Sequence, residues 1–120
     1  MKGFQWIVFS VWCVSLILVV ALSLAPARVV AGMGLSLNDK LMHFGGYFWL
    51  ALLTAGFPAS LRGKAMGVTL SLAILLEPAQ FFASGRTVSP GDALANLAGA
   101  VTGFAGAGWI KAGLMEGKTE

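Results

Sequence analysis

The segment Glu77-Pro78-Ala79-Gln80-Phe81-Phe82-Ala83-Ser84-Gly85-Arg86-Thr87-Val88-Ser89-Pro90-Gly91-Asp92-Ala93-Leu94-Ala95-Asn96 decides how the chain is read. It gathers strongly polar groups between two long apolar runs. Its beginning reads as the end of one membrane helix, its centre as a tight polar connection, and its close as the start of the next helix. Ser89-x-x-Asp92 matches a capping box, in which serine and acid each satisfy a backbone N–H at a helix start. Pro90 suits the first helical position, where its missing N–H costs nothing.

Working outward, the apolar runs on either side cover about 65–84 and 92–110. Upstream, Ser36-Leu37-Asn38-Asp39 repeats the box and heads a run at about 41–57, which Pro58 ends. The first run, about 4–25, carries no charge and exceeds the ~7–15 apolar residues of a secretory signal. It reads as an uncleaved helix, with cleavage near Ala25-Pro26-Ala27 as the alternative. A span needs roughly 20 mostly apolar residues. The expected fold is therefore all-α: a polytopic bundle of four transmembrane helices in one domain over residues 1–120. Pro26–Leu35 and Ala59–Lys64 read as connections, and Lys111–Glu120 as a frayed tail.

Composition agrees with this class. Of 120 residues, 58% are hydrophobic and 11% charged, against ~25% charged in a soluble domain. Mean hydropathy is +0.83. The eight basic residues are scattered, so the chain lacks the Lys/Arg block of a nucleic-acid binder. The single Cys13 has no internal disulfide partner. Lys2, Arg62, Lys64, Lys111 and Lys118 fall on the side of the termini, and Arg28, Lys40 and Arg86 on the other. The positive-inside rule then places both termini in the cytoplasm. Trp6, Trp12, Trp49 and Trp109 read as interfacial or lipid-facing rings.

This topology brings distant polar residues to one level of one leaflet. Asp39, Lys40 and His43 open the second helix, Glu77 and Gln80 close the third, and Asp92 and Asn96 open the fourth. Asp39, His43 and Tyr47 are spaced to share a helix face. Gly99 and Gly103 continue a small-residue strip from Ala95 to Ala107, which permits close helix approach. Glu77 lies nine residues before Arg86, about 13 Å along a helix. A charge at the bilayer centre costs about 2.5–3.5 kcal/mol on insertion scales. The candidate polar cluster is therefore Asp39, Lys40, His43, Glu77, Gln80, Arg86, Asp92 and Asn96. Plainer readings stand beside it: Asp39 and Asp92 as capping acids, Lys40 and Arg86 as interfacial anchors, His43 in packing, and Glu77 bridged to Arg86 or His43.

With these residues assembled, the sequence resembles the VanZ-like family of small bacterial integral membrane proteins. The resemblance runs over about residues 36–107. It rests on Asp39-Lys40-Leu41-Met42-His43-Phe44, on Glu77-Pro78-Ala79-Gln80, on Arg86-x-x-Ser89-x-x-Asp92, and on Asn96, Gly99 and Gly103. It implies a multi-pass protein of the inner (cytoplasmic) membrane with a cell-envelope or antibiotic-response role. The family's namesake is linked to resistance to the glycopeptide teicoplanin. No catalytic chemistry comes with the family.

Two functional expectations follow. One is a polar site at the outer leaflet that binds an anionic lipid or a lipid-linked envelope precursor, using helix N-termini, Lys40, Arg86 and His43. The other is a non-catalytic accessory subunit packed against a larger membrane protein complex. Membrane lipids are the expected partners, and no nucleic acid is. An enzyme is the weaker reading. The chain has no Cys/His nucleophile pair, no His-Glu-x-x-His metal spacing and no Walker or Rossmann glycine pattern, so no catalytic residue, metal or cofactor is assigned.

Overall fold

A computed structural model describes residues 1–34 and 39–118. Its described residues form helices joined by short turns, with no strand among them. In chain order these are α1 (Gly3–Leu24), α2 (Ala27–Gly32), α3 (Asp39–Leu53), α4 (Ala59–Ala79) and α5 (Pro90–Glu116). A 3-10 turn, Thr54–Gly56, extends α3, and another, Gln80–Phe82, extends α4. The bundle measures 54 × 25 × 24 Å.

The helix limits follow local chemistry. α1 stops where Ala25 becomes extended ahead of Pro26, because the residue before proline avoids the helical region. α4 begins behind Pro58, and the internal Pro78 falls in its last turn. Proline has no N–H for the carbonyl of Ile74, so the α-helix ends there and continues as a 3-10 turn. Gly85, at φ +73°, turns the chain out of that element, a conformation open to glycine at no steric cost.

Several expectations about the runs need correction. The supposed connection after Pro26 contains α2, and its first N–H, from Ala27, donates to the carbonyl of Ser84 at 3.0 Å. Ala59–Lys64 is the first part of α4, so Arg62 and Lys64 stand on a helix rather than in a loop. α5 runs on to Glu116, and Lys111 is part of it. Its ammonium donates to the carbonyl of Phe57 at 2.7 Å, satisfying a backbone group where α3 has run out. The Ser36 half of the expected first capping box, the end of the connection at Leu35, and the tail residues 119–120 lie outside the described residues.

Among the described residues, three helices are long and apolar enough to cross a membrane: Gly3–Leu24, Ala59–Phe82 and Pro90–Glu116. α3, expected as a span over 41–57, has 15 helical residues, about 22 Å of rise against a ~30 Å hydrocarbon core.

α3 and α5 form the most intimate helix pair, and the cause is the missing side chains of two glycines. A Cβ on Gly99 would fall on the carbonyl of Phe44. One on Gly103 would lie 2.5 Å from the carbonyl of Phe48 and 2.7 Å from Ala51 Cβ. The buried positions of α5 are Asp92, Asn96, Gly99, Ala100, Gly103 and Ala107, a single stripe at helical spacing. α4 buries a matching stripe of Ala65, Thr69, Ala73, Leu76 and Glu77, continued by Gln80. Small residues here let backbones approach, and dispersion replaces the hydrophobic drive that lipid does not supply.

α1 differs. Only Trp12 of its 22 residues is buried. This corrects the reading of all four tryptophans as peripheral. Trp12 packs edge-on against Phe57, with ring centroids 5.7 Å apart, and stacks with Phe9 at 6.4 Å. Leu50 and Ala65 complete this apolar cluster. Trp6 and Trp109 remain exposed, and Trp49 donates its indole N–H to Ser15 Oγ at 3.0 Å.

Candidate functional site

The polar residues meet at the end of the bundle where α3 and α5 begin and α4 finishes. Asn96, buried on α5, joins three helices. Its Nδ2 donates to the Ala73 carbonyl of α4 at 3.3 Å, and its Oδ1 lies 2.8 Å from Nδ1 of His43 on α3. A carbonyl only accepts, so the amide orientation is fixed by Ala73. Oδ1 must then accept from His43, which puts the proton on Nδ1. In the neutral ring Nε2 is left with its lone pair.

That Nε2 faces two carboxylates. Asp39 Oδ1 and Asp92 Oδ2 each lie 3.7 Å from it. The other oxygen of Asp92, Oδ1, pairs with Lys40 Nζ at 3.0 Å. Asp92 is buried, whereas Lys40 is 60% exposed and Asp39 67% exposed. A Cβ on Gly91 would come within 3.2 Å of Lys40 Nζ, so a residue without a side chain leaves room for the lysine.

The expected capping box at Ser89-x-x-Asp92 is not formed. Ser89 is the N-cap residue of α5, but its side chain makes no capping hydrogen bond. In a capping box the acid at the third helical position takes the N-cap N–H. Here Glu77 Oε1, from α4, accepts that N–H at 2.7 Å. A carboxylate twelve residues upstream has taken the box acid's place. Asp92 is thereby left for Lys40 and His43.

The expected bridge from Glu77 to Arg86 or His43 is also absent among the described residues. Arg86 Nε donates to the Ala25 carbonyl at 3.0 Å, and Nη2 to the Leu22 carbonyl at 2.6 Å. It thereby satisfies carbonyls that the end of α1 leaves without helical partners. No carboxylate among the described residues pairs with Arg86. Glu77 is 2% exposed, and its Oε2 is buried without a hydrogen-bond partner, as is the hydroxyl of Tyr47.

A cavity of about 300 Å³ opens beside this cluster. Asp39, His43, Tyr47, Gln80 and Arg86 supply its polar wall. Val19, Leu22, Val30 and Met42 supply the apolar one. The structure therefore brings all eight expected residues to one end, five of them in one connected group and three with separate partners or positions. Asp39, Lys40, His43, Asp92 and Asn96 form the group. Glu77 holds the start of α5, and Arg86 the end of α1, with Gln80 buried in the cavity wall. The contribution of α1 and α2 was missed. A uniformly apolar helix such as α1 has no period to mark its inner face. The backbone acceptors Ala73, Leu22 and Ala25 have no signature in sequence at all. Tyr47, four residues after His43, is legible in the wall together with Asp39, His43, Gln80 and Arg86.

Comparison of the chain with protein-family models, with curated proteins and with solved structures finds no match in any of the three.

Proposed function

We propose that the chain is a four-span protein of the bacterial inner membrane, with both termini cytoplasmic, akin to the VanZ-like proteins it resembles. Its role is to bind the anionic head group of a lipid or lipid-linked envelope precursor at the outer leaflet. In this reading α3 with its 3-10 extension is the fourth span, a short one enclosed by longer neighbours. The topology rests on the distribution of basic residues.

One observation carries the ligand reading: the cavity has a polar side that includes the Arg86 guanidinium and an aliphatic side. Arg86, without a carboxylate partner among the described residues, lines it together with Val19, Val30 and Met42. An amphiphile satisfies both walls, its charged group at the guanidinium and its chain along the aliphatic residues. Guanidinium groups suit phosphate because their planar donors match its oxygens. Asp92 opposes anion binding least when its charge is met by Lys40, as it is here.

Native mass spectrometry of the chain released from detergent tests this. The wild type retains an anionic phospholipid in preference to a zwitterionic one. Arg86→Ala abolishes the preference, and Glu77→Gln reduces it by loosening the start of α5. Equal retention of anionic lipid by the wild type and both variants overturns the reading.

An accessory-subunit role is the second reading, favoured by the exposed aromatic groups Phe81, Phe82 and Trp109 outside the bundle. A stoichiometric protein partner recovered after gentle extraction supports it. A solitary, monodisperse chain counts against it.

A further inference from the structure

We propose that Asp39, His43 and Asp92 form a binding site for a divalent transition-metal ion, of the Zn²⁺ or Mn²⁺ type, at the mouth of the polar end. One ligand atom from each residue lies within 4.8 Å of the others. The site draws on two helices, with Asp39 and His43 one turn apart on α3 and Asp92 in the first turn of α5. This inference stands apart from the lipid reading and departs from the sequence expectation of no metal.

The spacing argues for an ion between the three groups rather than hydrogen bonds among them. At 3.7 Å from each carboxylate oxygen, His43 Nε2 is beyond hydrogen-bond length. Three donors held ~2.1 Å from a tetrahedral ion stand about 3.4 Å apart. The histidine-to-carboxylate separations thus need to contract only slightly. Asp39, exposed and in the first turn of α3, is free to close the remaining gap.

The surroundings match what metal ligands require. A ligating histidine donates its second ring N–H to a fixed acceptor, which sets tautomer and ring orientation. His43 does so to Asn96 Oδ1, itself fixed through Nδ2 on the Ala73 carbonyl. A ligating carboxylate is held by its other oxygen, and Lys40 holds Asp92 Oδ1. One nitrogen and two carboxylate oxygens suit borderline divalent ions better than soft ones. Three protein ligands leave coordination positions open, and Asp39 and His43 both border the cavity.

The test uses the full chain in a neutral detergent, stripped of metal by chelation and titrated with Zn²⁺ and with Co²⁺ as a spectroscopic probe. The wild type binds about one ion per chain, and Co²⁺ develops d–d absorption bands. Asp39→Asn, at an exposed side chain, weakens binding ~10-fold or more without changing the melting temperature of the metal-free protein. Asn96→Ala weakens it ~10–100-fold through the histidine, and His43→Ala abolishes it. Failure of the wild type to bind stoichiometric Zn²⁺ or Co²⁺ overturns the proposal, as does wild-type affinity in Asp39→Asn. No lipid is present, so the outcome is independent of the outer-leaflet reading.

Discussion

The two ends of the bundle are built from the same helices and are held in opposite ways. At one end Trp12, Phe9, Phe57, Leu50 and Ala65 close into an aromatic and aliphatic cluster. At the other, His43, Asn96, Asp92 and Lys40 are linked by directional polar contacts beside a cavity. Both ends bury polar atoms without partners: Trp12 Nε1 and Arg62 Nε at the first, Tyr47 OH and Glu77 Oε2 at the second. The difference lies in what those atoms adjoin. The indole N–H belongs to a ring that packing already holds. The carboxylate belongs to the residue that holds the start of α5, the helix whose Asn96 fixes His43. The first end is held by packing and the second by directional polar contacts.

Substitutions separate the two. Trp12→Ala has the largest expected effect, because it leaves a hole among Phe9, Phe57 and Leu50. A buried Trp-to-Ala change costs about 3–5 kcal/mol, read as a lower midpoint in denaturant or heat, with metal and lipid binding retained where the protein remains folded. Equal loss of stability and of binding would show that the two ends are coupled rather than separate. Asn96→Ala comes next. It removes buried hydrogen bonds to His43 and to the Ala73 carbonyl, for an expected loss of about 2 kcal/mol. Unlike Trp12→Ala, it is also expected to weaken the proposed metal binding at the polar end, read by Co²⁺ titration. Lys40→Met has the smallest effect on stability, about 1 kcal/mol: its ammonium is 60% exposed, which weakens the pair, but the buried Asp92 carboxylate loses the charge that faces it. A larger loss would assign Asp92 a greater dependence on the lysine than the geometry gives it.

The gathering of polar groups was legible because it depends on helix order and on spacing, both written in the chain. Asp92 and Asn96 fall on the same stripe as Gly99 and Gly103, so the contact that needs glycine also turns the polar pair inward. The role of Glu77 was not legible. Ser89-x-x-Asp92 satisfies the local pattern for a capping box, and only the fold places a competing carboxylate on the same N–H. Arg86 was hidden for a related reason: its acceptors are main-chain carbonyls of α1, and any sequence supplies those. The start of α4 is hidden in the sequence because Arg62 and Lys64 have the look of loop charges. A membrane helix extends past the hydrocarbon into the interface, where such residues are at home.

The glycine contact between α3 and α5 has a mechanical consequence. Where two backbones touch directly, no side chain lies between them to rearrange. The opposite wall of the cavity, from α1 and α2, is fastened far more lightly, for α1 buries a single residue. That wall is tied to the rest of the polar end through the two α1 carbonyls that accept from Arg86.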